Sequence, residues 1–166
     1  MAVIGIDPGT AITGYGIVEE SPSGELITIS YGVIRTSSGV EPHERLLSLS
    51  KQLNQVLKTY SPDSGAVEKL FFQRNVRTAL SVGQARGVIL LSLAISRIPV
   101  FEYNPMEVKL SVTGYGKADK KQMQQMVKTM LELDEIPAPD DAADALAVAI
   151  CHIHSRRFRN LDKKYA

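Results

Sequence analysis

A change of hydrophobic period near residue 40 constrains the fold of this chain most. Before it, Ala2–Asp7, Ile12–Glu19 and Glu25–Thr36 are short stretches rich in β-branched and aromatic residues. Asp7-Pro8-Gly9 and Ser21-Pro22-Ser23-Gly24 separate them with turn chemistry, which predicts a three-stranded antiparallel meander. After it, Leu46, Leu49, Leu53, Val56, Leu57 and Tyr60 recur at helical spacing over Pro42–Tyr60, until Ser61-Pro62-Asp63 ends the helix. A strand is expected near Gly65–Leu70, a helix near Thr78–Ser96 and a strand at Val100–Tyr103. Strands alternating with helices extend a sheet in parallel. Helices near Pro105–Val112, Asp119–Glu132 and Asp140–Arg157 follow, with Gly114-Tyr115-Gly116 as a candidate mobile loop. The expected fold is α/β: a mixed five-stranded sheet with helices on both faces, in a single domain over residues 1–166.

Composition fits a packed domain, with 44% hydrophobic residues. The longest strongly apolar run, Val88–Ile95, is too short to span a bilayer. No basic region precedes the N-terminal apolar stretch, so no signal peptide is expected. The lone cysteine, Cys151, cannot form an internal disulfide, which suits a reducing compartment. A cytoplasmic location away from membranes is therefore expected.

The net charge of +1 argues against a simple polycation that coats nucleic acid. That total conceals alternating blocks. Residues 1–68 carry −4, 69–86 carry +4, 109–128 carry +4, 129–150 carry −6 and 151–166 carry +4. Such blocks are either ordinary solvated faces or an acidic centre ringed by basic surfaces, as an enzyme acting on a polyanion needs.

Four acids stand out. Asp7 closes the first strand, where an open α/β sheet places its ligands, although Asp-Pro-Gly also suits a plain turn cap. Glu68 follows Ala66-Val67 on the fourth strand. A buried carboxylate there is costly unless paired or metal-bound; otherwise it is a strand-end acid in water or a partner of Lys69. Asp141 and Asp144 share one face of the last helix at i, i+3, whereas Asp140 is rotated by about 100°. Helix-dipole stabilisation accounts for Asp140 or Asp141 without catalysis. It accounts less well for Asp144, set among Ala142, Ala143 and Ala145.

If the four converge, their mutual repulsion calls for cations. Two unit charges 4 Å apart repel by about 4 kcal/mol at an effective dielectric of 20. Two divalent cations would cancel four carboxylates. Oxygen donors without nearby Cys or His favour Mg²⁺ or Mn²⁺, which can activate water and stabilise a phosphodiester leaving oxygen. His152 and His154 point apart on a helix and are incidental or DNA-facing.

The chain resembles the RuvC Holliday-junction resolvases of bacteria along nearly its whole length. The matching stretches are Gly5-Ile6-Asp7-Pro8-Gly9, Val67-Glu68-Lys69-Leu70-Phe71-Phe72, Gly83-Gln84-Ala85-Arg86-Gly87, Val112 to Lys120, and Asp141-Ala142-Ala143-Asp144-Ala145-Leu146-Ala147. The first alone is weak, since a similar turn opens actin-like ATPases and sugar kinases. All five in order are specific. Lys69 departs from the commoner Glu-Gln pattern at a position that is not a metal ligand.

The resemblance implies a ribonuclease-H-like fold and a homodimeric endonuclease that uses Mg²⁺, two ions per active site, with Mn²⁺ able to substitute. It makes Asp7, Glu68, Asp141 and Asp144 the catalytic metal ligands. It implies symmetric nicks in strands of like polarity across a four-way junction, leaving ligatable 5′-phosphate and 3′-hydroxyl ends. The matching DNA contacts are Phe71, Arg74, Arg77, Lys109, Lys117 and Lys120, with Phe71 stacking on or unpairing a base near the crossover. Lys109 and Lys120 would sit near the scissile phosphates. The helix carrying Gly83 and Gly87 would supply part of the dimer interface, and the RuvA–RuvB branch-migration complex would be a partner.

Two other functions share parts of this pattern. An actin-like phosphotransferase would need a second lobe, for which 166 residues leave no room. A non-catalytic DNA-binding module on the same fold would not need acids at all four positions.

Overall fold

The computed structural model describes residues 1–70 and 76–165, excepting the side chains of 76–78 and 159–165. Its strands are β1 (Ala2–Asp7), β2 (Ile12–Glu20), β3 (Leu26–Arg35), β4 (Ser64–Glu68) and β5 (Val100–Tyr103). They form one sheet in the order β3-β2-β1-β4-β5. β1, β2 and β3 make the expected antiparallel meander. β4 joins β1 in parallel and β5 joins β4 in parallel. The mixed five-stranded sheet expected from the sequence is therefore present.

The helices are α1 (Pro42–Tyr60), α2 (Val76–Ile95), α3 (Pro105–Thr113), α4 (Lys120–Met130) and α5 (Asp140–Tyr165). Several boundaries differ from expectation, α2 starting two residues earlier and α4 ending two residues sooner, and two of the differences bear on the site and the core. β4 stops at Glu68 rather than Leu70, because β5 ends at Tyr103, where Asn104 caps α3 in a capping box with Glu107. Beyond that point β4 has no strand to pair with. α5 continues past Arg157 to Tyr165.

Alternation along the strands sends apolar side chains to both faces. On one face Ile4, Ile6, Ile17 and Ile34 meet Leu49, Leu53 and Leu57 of α1 and Ala85, Ile89 and Leu93 of α2. On the other, Val3, Val18 and Ala66 meet α5, whose far side is covered by Val108 and Val112 of α3 and Met123 and Val127 of α4. α5 is thus a central helix. From Ala142 to Ile153 every residue but Asp144 is buried. A helix apolar all round has to lie inside the protein.

Small residues set the height of α5 above the sheet. A Cβ at Gly5 would collide with the Ala145 carbonyl and the Ala149 nitrogen, and one at Gly14 with the Asp141 carbonyl. Bare glycine backbone against an alanine-rich helix lets the two layers touch at main-chain distance.

His152 belongs to this interior and does not face DNA. It is 2% exposed, and its ring bonds Tyr103 Oη at 2.8 Å and Ser64 Oγ at 3.2 Å. His154 sits against Ser111. The expected loop at Gly114 is a hydrogen-bonded turn: Gly114 closes α3 at φ 71°, and Thr113 Oγ1 accepts from the Tyr115 N–H. Among the described residues, no helix is long and apolar enough to cross a membrane.

Candidate active site

Three elements bring the four predicted acids to one edge of the sheet. Asp7 is the last residue of β1 and Glu68 the last of β4, with Ile6 opposite Val67 in the parallel pair between them. Both carboxylates therefore emerge at the carboxyl ends of adjacent parallel strands, where such sheets bind ligands. On its other side Asp7 lies opposite Gly14 of β2, and Gly14 abuts the Asp141 carbonyl. The glycine register thus seats the first turn of α5 beside Asp7. Asp144 follows one turn later on the same helix face.

The turn after Asp7 is tied down by groups that periodicity does not reveal. Thr13 Oγ1 donates to the Gly9 carbonyl at 2.8 Å, and Thr36 Oγ1 donates to the Thr10 carbonyl at 2.6 Å. Arg45 Nη2, from α1, donates to the same Thr10 oxygen at 3.1 Å. Arg45 and Thr36 carry no local sequence signal for this role, because the contact spans β3 and α1.

The electrostatics are those of crowded, partly buried anions. Burial pushes the Asp7 carboxyl up to about 8, and the charges of Glu68, Asp144 and Asp141 add to it. Glu68 is also raised, first by burial and then by Asp144; its hydrogen bond with Asp7 and the charge of Lys109 oppose the rise. Burial raises Asp144 as well, against the opposing charge of Lys120. Asp7 and Glu68 thus relieve their repulsion by hydrogen bonding, and Asp144 does so by turning to a lysine. Among the described residues, no three acidic, His or Cys side chains already form a metal cage.

A cleft of about 240 Å³ opens beside the acids. It is lined by Glu68 and Asp144, by Lys109 of α3 and Lys120 of α4, and by an apolar floor that includes Val108, Met123 and Ala147. Lys120 Nζ stands 3.6 Å from Asp144 Oδ2 and 3.0 Å from Asp140 Oδ2. Asp140 shares Lys120 with Asp144 but adds no charge effect at Asp7 or Glu68, and it is held below its ordinary value by the hydrogen bond from Lys120. Its link to Lys120 was not legible in the sequence, since it depends on how α4 docks against α5.

Not every predicted DNA contact joins this cleft. Lys109 and Lys120 do. Lys117 is exposed in the turn before α4 and does not line the cleft. Phe71 and Arg74 lie outside the described residues, and so does the side chain of Arg77. Arg86, part of the same basic block, is committed internally to Glu102 of β5.

Four hard oxygen donors, two of them sharing a hydrogen bond and none accompanied by Cys or His, suit Mg²⁺ or Mn²⁺ better than zinc. A cluster whose pKa values are raised by burial and then by mutual repulsion gains from a divalent cation. The donor set therefore fits the expected metal, and the lysine-flanked cleft beside it suits an anionic substrate.

Comparison with known proteins agrees. The family model described as crossover junction endodeoxyribonuclease RuvC matches residues 3–152. A crossover junction endodeoxyribonuclease RuvC from Pelotomaculum thermopropionicum is 56% identical over 154 residues, covering 93% of each chain. Another from Caldicellulosiruptor saccharolyticus is 53% identical over 155 residues, again covering 93% of each. Among solved structures, RuvC of T. thermophilus in complex with a Holliday junction substrate superposes with a TM-score of 0.87 at 33% identity, covering 95% of this chain and 96% of that one.

Proposed function

The chain belongs to the crossover junction endodeoxyribonuclease RuvC family, and on that premise we propose that it resolves Holliday junctions with Asp7, Glu68, Asp141 and Asp144 as its catalytic, cation-binding carboxylates. The observation that carries the proposal is the meeting of β1, β4 and α5 at one sheet edge. There burial, reinforced by the neighbouring carboxylates, raises the pKa values of Asp7, Glu68 and Asp144, beside a cleft lined by two lysines.

These carboxylates would hold Mg²⁺, with Mn²⁺ as a substitute and two ions balancing four charges. The bound cations would supply the Lewis acid that phosphodiester hydrolysis needs. The chain's own residues do the remaining work. Asp7 and Glu68 sit on strand ends, and Asp141 and Asp144 on a buried helix, so the anionic cluster is held on rigid elements. Lys109 and Lys120 place positive charge in the same cleft, where a DNA phosphate would be gripped and its developing charge stabilised. Val108, Met123 and Ala147 shield one side of that cleft from water. Phe71, Arg74, Arg77 and Lys117 are proposed as further DNA contacts on family resemblance.

Symmetric cutting needs two sites. A homodimer through α2 is supported by the exposure of Leu80, Leu91 and Ile95, between 59% and 69%, and by the open space over Gly87. We take residues 1–166 to act as one nuclease domain, because both apolar layers pack on a single sheet. A cytoplasmic location and a RuvA–RuvB partner belong to the same proposal.

The test is a synthetic four-way junction with a mobile core, incubated with protein and Mg²⁺ and read at nucleotide resolution. Paired nicks at symmetric positions in strands of like polarity, rejoined by ligase, are expected. Asp7→Asn should bind the junction and leave it intact. Cleavage that persists in this variant would remove Asp7 from the site, and uncut junctions with the wild-type protein would sink the nuclease assignment.

A further inference from the structure

We propose that Asp140 is a positioning residue that keeps Lys120 at the active-site cleft when Asp144 turns to a cation. The proposal rests on the nuclease function above and adds a residue outside its four carboxylates. Lys120 Nζ is shared between two acids, 3.0 Å from Asp140 Oδ2 and 3.6 Å from Asp144 Oδ2. The other Asp140 oxygen accepts from Gln124 Nε2 at 2.8 Å. Lys120 and Gln124 are i, i+4 neighbours on α4, so one turn of that helix grips both oxygens of a single carboxylate on α5.

Helix-dipole stabilisation would explain an acid at the start of α5, but it needs no partner on another helix. The contacts to Lys120 and Gln124 are what call for another role. Lys120 is the second wall of the cleft, and its side chain is long and 54% exposed. Asp144 anchors it only while that carboxylate is free. Once Asp144 binds a divalent cation, its attraction for the ammonium weakens and the cation repels it. A lysine held by Asp144 alone would then swing into solvent. Both Asp140 oxygens are engaged by α4 and it is not among the charges that act on Asp7 or Glu68, so a cation at the cluster need not take it. It is placed to hold Lys120 in the cleft through that exchange, and Gln124 fixes the rotamer from which it does so.

An exposed ion pair of this kind contributes little to folding. Its loss should therefore be seen in catalysis rather than in stability. The experiment is a double-mutant cycle on single-turnover junction cleavage at saturating Mg²⁺, with Asp140→Asn, Lys120→Met and the double variant. Lys120→Met should lower the cleavage rate about 100-fold, the range for removing one transition-state charge contact. Asp140→Asn should lower it about 10-fold in the wild-type background and not at all in the Lys120→Met background, as coupled residues do. Junction affinity and Tm should stay near wild type, and Asp140→Glu should recover part of the rate.

Equal losses in both backgrounds would overturn the proposal, as would an unaffected Asp140→Asn, a neutral Lys120→Met, or an activity loss that merely follows Tm. These outcomes leave the nuclease function standing. A wild-type protein that cuts no junction would overturn both.

Discussion

Asp7→Asn should make the metal-free protein more stable at pH 8 while abolishing cleavage. Burial, and then repulsion from Glu68, Asp144 and Asp141, pushes the Asp7 carboxyl from 3.8 to about 8. With the folded pKa above the unfolded one, the folded state holds the proton more tightly. That contribution to stability is fully present below about pH 4 and is lost as pH rises through about 8. At 1.36 kcal/mol per unit, the displacement corresponds to at most about 6 kcal/mol. The figure belongs to the hydrogen-bonded Asp7–Glu68 pair, and residual solvent contact screens it. About half, roughly 3 kcal/mol, should appear when the variant is compared with wild type at pH 8. For a chain of this size that is a rise in Tm of about 6–12 °C. At pH 5 the pair already holds a proton and the gap should shrink to about 1 kcal/mol. Differential scanning calorimetry with EDTA at pH 5, 6.5 and 8 reads this directly. Mg²⁺ at pH 8 should then raise the wild-type Tm and leave that of the variant nearly unchanged, since only the intact cluster binds tightly. A gap that stays constant with pH, or a variant less stable at pH 8, would refute the argument that the fold holds Asp7 as a buried carboxylate among other acids.

Other expectations follow from separate contacts. Gly14→Ala forces a methyl group into the Asp141 carbonyl. It should cost about 1–3 kcal/mol in thermal unfolding and lower cleavage about 100-fold by displacing the first turn of α5, whereas Gly39→Ala, in open surroundings, should do neither. Tyr103→Phe removes one bond to the buried His152 ring. Denaturant titration should show a loss of about 1 kcal/mol. Leu91→Glu, on the exposed face of α2, should shift the protein to monomer in sedimentation and abolish paired nicking. Junction affinity should fall steeply and linearly on a log–log plot against salt, as counterion release requires; a flat response would argue against a phosphate-tracking surface.

The antiparallel meander was legible because each of its signals is local. Turn residues separated β1 from β2 and β2 from β3, and the switch from period two to period 3.6 exposed the α1 stripe of Leu49, Leu53 and Leu57. The four acids were legible from their positions at strand ends and from the i, i+3 spacing on α5. What escaped was set by docking between elements. Asp140, Gln124 and Lys120 meet only because α4 lies beside the start of α5. Thr36 and Arg45 reach the Thr10 carbonyl from β3 and α1. His152, two residues from His154 on a helix, reads from its spacing as incidental or DNA-facing. In fact α5 is buried on every side there, so a polar ring had to find Ser64 and Tyr103.

The same close packing explains why the acidic cluster can be both costly and rigid. Carboxylates on mobile loops would drift into water and apart, escaping the burial and the repulsion that together raise Asp7 to about 8. Here drift is blocked: Asp7 and Glu68 are fixed by the parallel register of β1 and β4, and Asp141 and Asp144 by a helix with eleven buried residues between Ala142 and Ile153. Moving α5 away from the sheet would open voids along Gly5, Gly14 and Gly16, where backbone now meets backbone or side chain directly. Apolar contact on α5 thus opposes electrostatic repulsion at its first turn. Part of the stability generated along the helix is spent on holding four negative charges where cations and a phosphodiester can use them. It follows that Ala149→Gly, which weakens that contact about two turns from Asp141 without touching the site, should lower stability by about 1 kcal/mol, as glycine does inside a helix. It should also raise the Mg²⁺ concentration needed for half-maximal cleavage, because a looser helix lets the acids relax apart. A stability loss with unchanged metal dependence would show that the sheet alone organises the site.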